Sequence, residues 1–126
     1  FLYYFSYTYT LDLSDRKFIQ RYRLSKQLAR RVITLITPYM SVPSTLGGLT
    51  IDRKVITALR FFAAGSYQLD VGENRHTFIS QASVSRVIEE VTNAITNPAI
   101  FNQFVKFPNN FNELDDVRTG FFSKYK

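Results

Sequence analysis

Apolar residues recur at three- and four-residue spacing along most of the chain, the signature of helices with one buried face. The clearest stretch is ISQASVSRVIEEVTNAI, where Val84, Val87, Ile88, Val91 and Ile95 share a face and Ser80 stands where an N-cap belongs. Gln81, Ala82, Ser83, Ser85 and Arg86 then point away from that stripe over the first two turns. Upstream, Ser14 or Asp15 can cap a short helix running to about Tyr22. Ser25 can cap a second, KQLARRVITLITPY, with Leu28, Val32, Leu35, Ile36 and Tyr39 on one face and Arg30 and Arg31 toward the other. Thr50 starts IDRKVITALRFFAAG, which places Ile51, Val55, Leu59 and Phe62 inward and stops at Gly65. A last helix from about Asn110 or Asn112 aligns Leu114, Val117 and Phe121.

Between these helices the punctuation is local. Pro38, Pro43, Gly47 and Gly48 mark a loop, SYQLDVGENRHTF predicts a short helix and a turn around Gly72, and Asn97-Pro98 ends the helix that starts at Ser80 before a connector, AIFNQFVKFP. The opening FLYYFSYTYT places aromatics at Phe1, Tyr3, Phe5, Tyr7 and Tyr9, an alternation that predicts an extended strand. It has no basic n-region and no small-residue cleavage site, so it is a poor signal peptide. The chain does not begin with Met, which suggests a piece of a longer protein. The expected architecture is all-α. It comprises an extended aromatic lead-in (1–13), a helical domain (14–98), and a connector with a helix leading onward (99–126). The helix at 51–64, a short helix after Gly65, a turn and the helix from Ser80 follow the order of a helix-turn-helix-like trihelical core, whose last helix would lie in a DNA major groove.

Composition sharpens this picture. The 126 residues are 45% hydrophobic, enough for a core, and contain no Cys, which removes disulfides, thiolate chemistry and Cys-based zinc sites. No run reaches the ~18 apolar residues of a membrane span. The net charge of +6 is uneven: through residue 60 ten basic residues face three acidic ones, and beyond it six face seven. Most of the excess lies in DRKFIQRYRLSKQLARR, a patch suited to a polyanion. A membrane surface is the weaker partner, since the aromatics beside that run alternate as a strand and form no amphipathic helical face.

Catalytic constellations are lacking. The close acid pairs Glu89-Glu90 and Asp115-Asp116 are neighbours on helices, diverge by about 100°, and read as solvated surface. His76 is the sole histidine, near Asp70 and Glu73, a poor metal set. Neither a phosphate-cradling GK[ST] loop nor a G-x-S-x-G elbow occurs. As it stands, the chain is not expected to be an enzyme.

Four ordered blocks carry a resemblance: RYRLSKQLARRVITLI, LTIDRKVITALRFFAAGSYQLDVGE, ISQASVSRVIEEVTNAI, and FVKFP before GFF. From about Asp12 to Lys124 they resemble the N-terminal region of Harbinger transposase-derived nucleases, domesticated relatives of PIF/Harbinger transposases. The resemblance implies a helical, helix-turn-helix-like region ahead of an RNase H-like DDE domain that binds divalent metal. It also implies action in the nucleus, with the cytoplasm as alternative, beside a separate Myb-like DNA-binding partner. By resemblance the first catalytic Asp falls just after FNELDDVRTGFFSKYK. No acid in this chain takes that role, and no cofactor is expected here. Two features depart from the family, the first ten residues and ENRHTF, which is longer and more polar than the usual turn.

Two functions follow. As a DNA-binding module, the chain would bring Gln81, Ser83, Ser85 and Arg86 to bases, with Arg16, Arg21, Lys26, Arg30, Arg31 and Lys54 on phosphates. Glu89 and Glu90 would let only the first two turns enter a groove. As a protein-interaction scaffold, it would dock the Myb-like partner or the catalytic domain. Its surplus of Phe101, Phe104, Phe107, Phe111, Phe121 and Phe122 is the supporting feature, unless those rings complete its own core.

Overall fold

The computed structural model describes residues 12–45, 47–65 and 79–125. The aromatic alternation at the start and the segment 66–78, with its expected short helix and His76, lie outside the described residues. Among the described residues the all-α expectation holds. The elements are α1 (Asp15–Tyr22), α2 (Lys26–Ile36) with a 3-10 turn over Thr37–Tyr39, α3 (Ile51–Ala64), α4 (Gln81–Ile95), α5 (Pro98–Phe104) and α6 (Phe111–Lys124). The helix-turn-helix reading needs the helix expected in 66–78, so the described residues contain only its first and last helices.

Helix starts are set by short polar side chains that accept from otherwise orphaned backbone amides, each worth about 1 kcal/mol. Ser25 Oγ accepts from Leu28 N at 3.2 Å, Thr50 Oγ1 from Arg53 N at 3.3 Å, and Ser80 Oγ from Ser83 N at 3.2 Å. At α6 the cap is reciprocal: Asn110 Oδ1 accepts from Glu113 N at 2.9 Å, and Glu113 Oε2 accepts from Asn109 N at 2.8 Å. Helix ends differ. Gly65 closes α3 in the left-handed region at φ 60°, free of a Cβ penalty. Arg23 closes α1 in the same conformation at φ 61°, where a side chain costs about 1 kcal/mol.

Helix α3 is the axis of the core. Seven consecutive residues, Arg53 to Leu59, are buried because α4 packs along one side of it and α1 and α2 along others. Helix α1 contributes Phe18 and Tyr22, stacked with ring centroids 4.6 Å apart, and α4 contributes the expected stripe of Val84, Val87 and Val91.

Three expectations are corrected here. The buried face of α2 is Ala29, Ile33 and Ile36, while Leu28 and Tyr39 stay substantially exposed. Val32 and Leu35 are half-buried and pack against the edge of the core, so of the expected row only Ile36 is fully buried. Phe62 is half-exposed, because continuous burial of α3 ends at Leu59. The connector is partly helical: Asn97 Oδ1 caps α5 by accepting from Ala99 N at 3.0 Å, Pro98 opens the helix, and Ile100 anchors it in the core. From Phe101 to Tyr125 every residue is exposed.

Candidate nucleic-acid interface and apolar groove

Helix α4 separates two faces. Val84, Val87, Val91 and Ala94 are locked against the core, so the helix cannot rotate, and Gln81, Ala82, Ser85, Arg86 and Glu89 face solvent. Gln81, Ser85 and Arg86 therefore stand together on the outer face of the first two turns. Arg86 has no ion-pair partner among the described residues. Ser83 is less available. It is half-buried, and its hydroxyl accepts from Ser80 Oγ at 2.9 Å. Glu89 lies one turn beyond Ser85 and Arg86 on the same exposed face, so negative charge bounds the presented surface.

The six lysines and arginines expected on phosphates separate by environment. Arg16, Arg30 and Arg31 are exposed, with no ion pair among the described residues. Lys26 is largely buried along its stem, its ammonium 3.4 Å from Asp15, across the gap between α1 and α2. Arg21 is half-buried, and its carbonyl accepts from Arg60 Nη1 at 2.8 Å. Arg60 was not singled out by sequence. Burial, then the nearby charge of Arg21, lower its pKa, partly offset by Tyr22 and reinforced by Arg23.

Lys54 is the correction of consequence. Its side chain is 11% exposed and its Nζ donates to Glu90 Oε2 at 2.8 Å, Glu90 Oε1 at 3.1 Å, Ser41 Oγ at 3.0 Å and the Ser41 carbonyl at 3.1 Å. A cation so enclosed cannot reach a phosphate. Glu90 is accordingly no solvated surface acid. Its Oε1 also accepts from Ser41 N at 2.8 Å and Ser41 Oγ at 2.6 Å. Burial opposes the charge on Glu90, but the hydrogen bonds from Lys54 and Ser41 and the ammonium charge outweigh it and hold the carboxyl below its ordinary pKa. The Lys54–Glu90–Ser41 cluster ties α3, α4 and the loop after the 3-10 turn together. Sequence offered no signal for it, because the three residues are separated by 13 and 36 positions.

A second surface is apolar. Leu28, Val32 and Leu35 of α2 face Phe101 and Phe104 of α5 across a groove of about 360 Å³, with Arg31 at its edge and Ile36 and Leu59 among its lining. The row predicted as the core face of α2 thus forms one wall of an open groove. Beyond it, α6 carries Phe111, Leu114, Val117, Phe121 and Phe122, all exposed. Those rings do not complete the core.

The divalent metal implied by the family resemblance finds no fitting donors among the described residues. Among the described residues no group of three or more His, Cys, Asp or Glu could hold an ion, and Glu90 is engaged by Lys54. No helix among them is long and apolar enough to cross a membrane.

Comparison with known proteins supports the family resemblance. The chain is 28% identical over 112 residues to the human (Homo sapiens) protein named "Putative nuclease HARBI1". It is 27% identical over 112 residues to the namesake in Rattus norvegicus and 26% over 113 residues to that in Xenopus laevis. These alignments cover 88–89% of the chain but 31% of each relative, so the chain spans under a third of their length. No family model matches it, and no solved structure does. The chain is thus similar, over nearly all its length, to part of a Harbinger transposase-derived nuclease.

Proposed function

We propose that this chain is a DNA-binding, targeting region of a Harbinger transposase-derived nuclease, acting in the nucleus and carrying none of the metal-dependent DDE chemistry. The observation that supports it is the outer face of α4, where a helix fixed by its buried valines presents Gln81, Ser85 and Arg86 to solvent at its N-terminal end. Gln pairs with adenine and Arg with guanine, each bidentate contact discriminating by about 1–3 kcal/mol. Arg16, Arg30 and Arg31 supply sequence-independent attraction to phosphates. If those three engage, log affinity falls with log salt at a slope of about −2.7.

The test is fluorescence anisotropy with a duplex carrying the terminal inverted repeats of a PIF/Harbinger transposon and a scrambled duplex, across a salt series. Arg86→Ala should reduce preference for the repeat, and Arg30→Ala should weaken both duplexes alike. Equal weak binding to the two duplexes, or equal loss from both variants, would refute the assignment.

A second reading is favoured by a specific observation, the uninterrupted exposure of aromatic residues from Phe101 to Phe122. A contiguous apolar surface marks a protein-docking site. In that reading the region holds a protein partner, such as a Myb-like DNA-binding protein or a catalytic domain, and DNA reading belongs elsewhere.

A further inference from the structure

We infer that Arg21, Arg23 and Arg60 form a phosphate-binding corner at the α1–α2 turn, in addition to the exposed arginines of α1 and α2. In the DNA-binding reading, on which the source of the phosphate rests, it is a backbone phosphodiester. Sequence pointed to Arg21 alone of the three.

The cations reach the corner from two directions. Arg21 lies in the last turn of α1, and Arg23 forms the turn itself. Arg60 comes from α3, 39 positions away, and its Nη1 donates to the Arg21 carbonyl at 2.8 Å. That bond uses one N–H of a planar fork whose other donors suit phosphate oxygens. The carbonyl end of α1 and the amide end of α2 meet here, and their opposite partial charges, each about half a unit, largely cancel. Nearby acids do not answer the rest. Asp15 is engaged by Lys26 at 3.4 Å, and Asp52 lies eight residues before Arg60, about 12 Å along α3. Among the described residues none of the three arginines has an ion pair.

Two costs in the arrangement point to an anion. Arg60 is half-buried with a neutral carbonyl as its hydrogen-bond partner. Burial and then Arg21 lower its pKa, Tyr22 opposes this, and Arg23 adds to it. An anion in the corner favours the charged form and offsets that penalty. The second cost is Arg23, held in the left-handed region at φ 61°, where Gly65 ends α3 at φ 60°. Any side chain there carries a strain that glycine avoids. The backbone duty of Arg23, an N–H donated to the Ile19 carbonyl at 2.8 Å, needs no side chain. Glycine would end α1 equally well and would lack only the exposed guanidinium. Strain of this kind is retained where the side chain has work to do, and guanidinium–phosphate bonds are bidentate and charge-assisted.

Two variants test the corner. Arg23→Gly removes a charge while relieving the left-handed strain, so weaker binding cannot come from unfolding. Arg60→Gln removes the charge from α3, with helicity checked by circular dichroism. Anisotropy is read on the repeat and scrambled duplexes across a salt series. One corner phosphate beside those of Arg16, Arg30 and Arg31 takes the parent slope to about −3.6, and each variant should return it to about −2.7. The fold-loss in affinity should be the same on both duplexes. A parent-like slope in either variant overturns the corner and leaves the DNA reading standing. If the parent binds no duplex, melting in inorganic phosphate against chloride at equal ionic strength decides. Phosphate stabilises all three proteins in general. A larger gain in the parent than in either variant keeps the corner as a site for free phosphate while the DNA reading fails, and equal gains overturn both.

Discussion

Replacing Glu90 with Gln isolates the charge in the cluster that joins α3 to α4. The amide oxygen of the Glu90→Gln variant would still accept from Ser41 N and Ser41 Oγ, so the loop contact persists while Lys54 loses its counter-charge. Removing one partner from a fully buried pair costs about 3–5 kcal/mol, whereas an exposed pair contributes about 0–1 kcal/mol. With side chains 11% and 27% exposed, and with the Ser41 carbonyl at 3.1 Å still accepting from Lys54, this pair lies between those limits, at about 2 kcal/mol. In urea, with a slope of about 2 kcal/mol/M, the unfolding midpoint should fall by about 1 M at unchanged slope. The double variant Lys54→Met/Glu90→Leu removes both charges and should recover to within about 1 kcal/mol of the parent. A Glu90→Gln midpoint within about 0.2 M of the parent would show the pair behaving as surface charges, and the inward placement of Lys54 would be wrong.

The same carboxylate sets a pH dependence. Its folded pKa lies below the ordinary value, so its contribution is complete above the ordinary range near ~4.3 and is lost as pH falls through the lower, folded pKa. Thermal melts from neutral to acid pH should show a loss at the acid end that is smaller in Glu90→Gln. The two left-handed helix ends predict opposite signs. Gly65→Ala should destabilise by about 1 kcal/mol through backbone strain, since among the described residues nothing beyond its chain neighbours and its own helix backbone lies within 4 Å of the added Cβ, and Arg23→Gly should stabilise by a similar amount. Chemical denaturation of both variants checks this, and changes of the same sign would contradict it.

Helix existence and boundaries were largely legible before the structure. Ser14, Ser25, Thr50, Ser80 and Asn110 cap where expected, and Gly65 stops α3. The outer face of α4 was legible too, because its valine spacing fixed which side turns in. Side-chain environment was not. Lys54 reads as a surface cation and Glu90 as a surface acid, since nothing local couples residues 36 positions apart. The Leu28–Val32–Leu35 row reads as core, but periodicity reports only that a face is apolar, not which neighbour covers it.

Local chemistry by itself determined that the described chain is helical, where the helices other than α5 start, and that its cations gather in the first half, because capping, 3.6-residue periodicity and charge are properties of nearby residues. Tertiary packing decided the rest. It enclosed α3 so that Lys54 must pair inward, selected Ala29 and Ile33 over Leu28 as the buried row of α2, and left every residue of α6 exposed. Those outcomes depend on which surfaces meet across long sequence separations, and a one-dimensional pattern carries no information on such meetings.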